Sequence, residues 1–195
     1  VDECYCDIFR MNKPKPPGAL EAAANLGKGL DNLIIFNSLS KRSNASGMRA
    51  GFIAGDKNII ANYKLLVSNG ASPVPIPIQK VAASLYDDEH HHTKACIHYD
   101  QNFSIVEKYL KPFYKDFKSP DAGFFLWLKV KDDKQAAKIL WNKFSLRVMP
   151  GSFMGIDVDG LNPGIGYLRI SVVDNKEVIE ETMKRIQLFL KSEVS

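Results

Sequence analysis

Apolar and polar residues follow two rhythms along this chain, one of period two or continuous, the other near 3.6, and each marks an element. Leu33-Ile34-Ile35-Phe36 is a continuous apolar run, the pattern of a strand buried on both faces, and a second strand is predicted over Arg49–Gly55 after a polar loop at 37–47. Further strands are predicted within Asp121–Val130, at Leu146–Met149 and at Tyr167–Val173. Helical spacing predicts a short helix at 19–26 stopped by Gly27 and Gly29, then helices at 58–67 and about 78–86. Residues 88–117 place Ile97, Ile105, Val106, Tyr109, Leu110 and Phe113 at helical spacing, as one long helix or two with a break near 100. A helix at 132–144 opens on Asp132 and Asp133, which suit capping and the dipole. The last helix, about 175–192, carries the stripe Val178, Ile179, Met183, Ile186, Phe189 and Leu190. Residues 1–9 read as a strand end entering a loop, and Pro14, Pro16 and Pro17 keep the next segment out of helix and central strand. Buried-type strands beside helices predict an α/β fold, divided into an α/β layer over 1–95 and a small α+β unit over 96–195.

The composition narrows the partners. The chain has 195 residues, 45% hydrophobic and 25% charged, with a net charge of +4. Its Lys and Arg are scattered, whereas a nucleic-acid binder concentrates them in a patch, so nucleic acid is not expected as a partner and the mild excess only leaves room for acidic metabolites. Three cysteines with no framework spacing point to a reducing compartment, the cytoplasm. No apolar run approaches the ~20 residues of a membrane span. Cys4 and Cys6 would share one face of a strand, and no second Cys/His pair stands at ligand spacing, so no metal is expected. His90-His91-His92 fan out around a helix axis and read as a solvated helix start. Phe113, Phe117, Phe124, Phe125 and Trp127 are assigned to the core. The chain opens on Val1 in mid-pattern, without a polar lead-in, which reads as a cut inside a larger protein.

Candidate chemistry concentrates in Asn37–Gly51. Lys41 sits just past a buried strand among Ser38, Ser40, Ser43 and Asn44, with Arg49 eight residues on. A lysine in a polar loop is ordinarily solvated. A lysine that bonds a carbonyl must instead be held near it and partly desolvated, so that its amine is neutral and nucleophilic. A phosphate nearby needs hydroxyls, backbone N–H groups and a two-pronged arginine. This segment supplies all of these.

Ser-x-Ser-Lys, with Arg49 eight residues after Lys41 and Gly51 two later, resembles the cofactor-lysine motif of fold-type I aminotransferases, class I/II. The resemblance implies that Lys41 bonds pyridoxal 5'-phosphate and shuttles the substrate's α-proton, while Ser38 and Arg49, with Ser40 beside them, hold the phosphate. Asp2-Glu3-Cys4-Tyr5 is similar to the family's Asp-x-x-Tyr strand end, so Asp2 would pair with the pyridine nitrogen and Tyr5 with the phenolic oxygen. Gly166-Tyr167-Leu168-Arg169-Ile170-Ser171 matches the strand whose arginine, here Arg169, clamps the substrate carboxylate. These matches run from residue 2 to 171 and imply a C-terminal half: part of the large-domain sheet, then the small domain. The missing half would supply a phosphate-capping turn, an aromatic that stacks on the ring and an asparagine, so this chain alone is expected to be inactive. Ser40–Asn44 and Gly47–Phe52 look most like succinyldiaminopimelate aminotransferases of bacterial lysine biosynthesis, homodimers that exchange an amino group between glutamate and a keto acid. An aspartate-type aminotransferase, a carbon–sulfur lyase and a non-catalytic regulatory domain on the same scaffold stand as alternatives.

Overall fold

The computed structural model describes residues 1–70 and 73–194. They gather into two compact units, Val1–Ile97 with Asp121–Gly123, and His98–Pro120 with Phe124–Ser195, the division falling within one helix.

In the first unit, β1 (Ile34–Ser38) pairs antiparallel with β2 (Gly51–Gly55), in the register Ser38↔Gly51 and Ile34↔Gly55. The strand end at residues 1–3 runs parallel beside β1: Asp2 bridges Phe36, and the Glu3 N–H donates to the Phe36 carbonyl at 2.8 Å. Cys4 and Cys6 lie in the turn that follows rather than on a strand, because the chain must reverse after Glu3 to bring Ile8 into the core. Gly51 fits its place in β2 for want of a Cβ, which would stand 2.2 Å from the Asn37 carbonyl oxygen. The expected two-sided burial of β1 is corrected: Ile35 is buried but Phe36 is 42% exposed, since period two sends them to opposite faces and only one face is packed.

The segment joining β1 to β2 is more ordered than a loop. It folds into α2 (Leu39–Arg42), whose N-terminus Ser38 caps by accepting the Ser40 N–H at 3.1 Å, and then a 3-10 turn at Ser46–Met48. Before β1 lies α1 (Ala19–Asn25), ended by Gly27 at φ 62°. After β2 come α3 (Lys57–Gly70) and α4 (Ile76–Asp87). The long helix is continuous, α5 (Glu89–Leu110), with no break near 100. Its buried stripe is His92, Cys96, Tyr99, Phe103, Val106 and Leu110, a 4-3-4-3-4 spacing with Asn102 buried alongside, and Ile97 is left 42% exposed. The reading of the His triplet as a solvated start is corrected at His92, which falls on this stripe and is buried, while His90 is exposed and His91 partly so. Residues 121–123 return to the first unit: the Arg10 N–H donates to the Asp121 carbonyl at 3.0 Å, and the Gly123 N–H to that of Ile8 at 2.6 Å.

In the second unit, β3 (Phe125–Lys129), β5 (Tyr167–Ser171) and β4 (Met149–Pro150) form an antiparallel sheet in that order. Leu126, Leu128, Leu168 and Ile170 enter one core with Phe103, Val106 and Leu110 of α5, Leu140 of α6 (Asp133–Phe144) and Met183, Ile186 and Phe189 of α7 (Lys176–Val194). Alternation puts Trp127, Met149 and Arg169 on the other face, in register with one another. Trp127 is accordingly 46% exposed rather than core, and Val178, one position off the α7 stripe, is 46% exposed as well.

Candidate functional site

Beyond the Ser38↔Gly51 pair both strands of the hairpin run off the same end, so Ser40 and Lys41 on one side and Arg49 on the other leave the sheet together. The Leu39 N–H donates to the Ala50 carbonyl at 3.2 Å, which ties the first turn of α2 to the residue after Arg49. Arg49 ends the 3-10 turn in the left-handed region at φ 49°, and its Nη1 donates to the Ser46 carbonyl at 3.1 Å. With Asn37, Phe52, Tyr63 and Val67 it lines an open cleft of about 380 Å³.

Lys41 Nζ stands 5.6 Å from the centre of the Tyr5 ring, an approach of ammonium to aromatic face between residues 36 apart in the chain. Three residues before Tyr5, the Asp2 carboxylate accepts the Cys4 N–H at 2.9 Å, and hydrogen bonds from Cys4 hold its pKa below the usual carboxylate value. Just before Lys41 in the chain, the Ser38 hydroxyl donates to the Ser40 hydroxyl at 2.9 Å. The structure thus brings Lys41 to Tyr5 and pairs Ser38 with Ser40. Arg169 belongs to the second unit, where its guanidinium carbon lies 4.5 Å from the centre of the Phe125 ring. It borders an open cleft of about 550 Å³ with Arg147, Met149, Ser171 and Asp174.

Residues that the sequence patterns leave unmarked hold this arrangement in place. Arg42 is buried and donates to the carbonyls of Leu85 at 2.9 Å and Tyr86 at 3.3 Å, at the C-terminal end of α4, where a cation meets the helix dipole. It also pairs with Glu89 at 2.5 Å and lies 3.8 Å from the Asp7 carboxylate. The Tyr86 hydroxyl donates to Asn37 Oδ1 at 2.9 Å, and burial pushes its pKa up to about 12. His92 Nε2 bonds the Asp7 carbonyl, and its Nδ1 stands 3.2 Å from Glu89. The Cys6 thiol, pushed up to about 11 by burial and then by the Asp7 charge, lies 3.5 Å from the Asn37 amide. Only His92 had a usable signal, its place on the α5 stripe; the carbonyl and Glu89 partners of Arg42 are more than forty residues away in sequence. Among the described residues, no group of three or more His, Cys, Asp and Glu side chains could hold a metal ion, and no helix is long and apolar enough to cross a membrane.

Residues 1–186 match the family model for aminotransferase class I and II. An LL-diaminopimelate aminotransferase of Natranaerobius thermophilus is 29% identical over 194 residues, covering 95% of this chain and 46% of that protein. The 4-dedimethylamino-4-oxo-anhydrotetracycline transaminase OxyQ of Streptomyces rimosus is 26% identical over 185 residues, 95% of this chain and 49% of its own. The chain thus spans about half the length of the curated relatives it matches. Among solved structures, an aminotransferase from Neisseria meningitidis Z2491 superposes with a TM-score of 0.90 at 38% identity, over 96% of this chain and 48% of that one. The aminotransferase AspB from Helicobacter pylori 26695 follows with 0.85 at 29% identity, over 97% and 48%. These overlaps bear out the α/β fold expected of an aminotransferase of this type. The chain belongs to the class I and II aminotransferases.

Proposed function

We propose that the protein is a pyridoxal-phosphate-dependent aminotransferase in which Lys41 bonds the cofactor and moves the substrate's α-proton. The observation that carries this reading is the meeting of Lys41 with Tyr5, with Asp2 three residues from Tyr5 and the Ser38–Ser40 pair beside the lysine. The donor set fits the group. Ser38, Ser40 and the Arg49 guanidinium suit a phosphate, the Tyr5 hydroxyl suits a phenolic oxygen, and Asp2, an anion at neutral pH, suits a protonated ring nitrogen. When bound, pyridoxal phosphate draws electrons from the substrate's α-carbon and so acidifies its proton. Lys41 is the residue that would take that proton from the substrate and give it back. Arg169, packed over Phe125, offers planar N–H donors to a substrate carboxylate.

The substrates on this reading are glutamate and a keto acid, with N-succinyl-diaminopimelate and 2-oxoglutarate in lysine biosynthesis as the pair. Support comes from the Ser40–Asn44 segment and from relatives named LL-diaminopimelate aminotransferases at 25–29% identity. Three cysteines without framework spacing fit the cytoplasm, and a homodimer completes the reading. To test it, the full-length protein is mixed with pyridoxal phosphate, reduced with borohydride and mapped by peptide mass. The expected outcome is one adduct, on Lys41. Label spread over several lysines, or none on Lys41, would overturn the assignment.

A further inference from the structure

Two residues past Lys41 the first unit forms a second polar constellation that amino transfer does not use. Ser43 closes α2, and its Oγ lies 2.8 Å from His91 Nε2; His91 Nδ1 in turn lies 2.8 Å from Asp88 Oδ2. Ser43 comes from the β1–β2 connection, while Asp88 and His91 flank the start of α5, 48 residues away for the Ser–His pair. A carboxylate on Nδ1 keeps the proton on that nitrogen and leaves the Nε2 lone pair facing the hydroxyl, the arrangement in which an imidazole acts as a base on serine.

The groups are also held still. Asp88 Oδ1 accepts the His90 N–H at 2.8 Å, so the orienting carboxylate is fixed by the backbone of the helix it precedes. The bond to His91, and after it the His90 N–H, keep this carboxyl below its usual pKa and therefore anionic at neutral pH. Arg42, the residue before Ser43, is buried and bonded to Leu85, Tyr86 and Glu89, which locks the end of α2 to the α4–α5 junction. The His91 side chain is 28% exposed and Asp88 48%, so a small electrophile can reach them.

We propose that Ser43 is an activated nucleophile that accepts acyl groups from activated esters and phosphonyl groups from fluorophosphonates, with His91 as general base and Asp88 as the carboxylate that orients it. The proposal does not depend on the amino-transfer reading. With an ester, Ser43 Oγ bonds to the carbonyl carbon and gives its proton to His91 Nε2. The ester C–O bond then breaks, and the departing oxygen takes that proton from His91, leaving acyl-Ser43 and an alcohol. With a fluorophosphonate the Oγ–P bond forms, the P–F bond breaks, and fluoride and the proton leave.

The test treats the full-length protein with an ethyl alkylfluorophosphonate and maps the adduct by peptide mass. One adduct, on Ser43, is expected, and its rate of formation falls by about 100-fold or more in His91→Gln and also falls in Asp88→Asn. Absence of an adduct on Ser43 in the unsubstituted protein, a result that needs no variant to fold, overturns the proposal. So does labelling of His91→Gln at the unsubstituted rate. Borohydride mapping of Lys41 in a parallel sample reports on the amino-transfer site separately.

Discussion

Lys41 and Arg42 are neighbours with opposite environments, and the contrast comes from one helical turn. Adjacent helical residues point about 100° apart, so α2 turns Lys41 toward Tyr5 and Arg42 into the contact with α4. Arg42→Leu removes the donors from the Leu85 and Tyr86 carbonyls and leaves Asp7 without its guanidinium. It should lower stability by about 3 kcal/mol, read from the denaturant midpoint, with the solvated Glu89 end contributing little. Lys41→Ala should stay within about 0.5 kcal/mol of the parent. Lys41, Ser38, Ser40 and Arg49 were legible because they stand within one short segment whose residue types suit a phosphate and a reactive amine. Arg42 was not: what makes it structural is a set of carbonyls more than forty residues on. The same limit hid Ser43, whose ordinary place in a polar segment acquires meaning only through His91.

Among the elements, those with strong periodicity were legible and those set by tertiary contact were not. The α6 cap appears as expected, with the Asp132 side chain accepting the Gln135 N–H at 2.9 Å. Its neighbour Asp133 does something the sequence does not announce. It is buried, and its two oxygens accept the N–H groups of Ser152 at 2.9 Å and Gly166 at 3.3 Å, pinning both ends of the 151–166 segment that leads into β5 and Arg169. Burial pushes its carboxyl up, and hydrogen bonds from Ser152 and Gly166 more than reverse this, so its folded pKa lies below the ordinary value. A depressed carboxylate contributes stability that is fully present above its unfolded pKa of about 3.9 and is lost as pH falls through the folded value. Asp133→Asn should therefore cost about 1–3 kcal/mol at pH 7, and the gap to the parent should narrow steadily below the ordinary carboxylate pKa. A gap independent of pH in chemical denaturation would count against the carboxylate's role. The α5 stripe makes the complementary point: its 4-3-4-3-4 spacing was present in the sequence, but a histidine and a cysteine at its start masked the periodicity.

Across the whole molecule, apolar burial is uneven. The second unit has a continuous core of α5, α6, α7, β3 and β5 side chains, whereas α1, α3 and α4 of the first contribute no buried residue. The rhythm of apolar positions located these elements, yet it overstated the burial of β1 and of Trp127, because periodicity tells which residues share a face and not whether that face is covered. Family membership rests on the match over residues 1–186 and on the overlap with solved aminotransferases; the proposed activity would rest on Lys41. The most direct test is amino transfer from glutamate to a keto acid by the full-length protein with pyridoxal phosphate, measured as 2-oxoglutarate formed, beside Lys41→Ala at equal cofactor occupancy. The aminotransferase reading predicts turnover in the parent and a loss of about 100-fold or more in the variant. Equal turnover in the two proteins, or none in the parent, would contradict it.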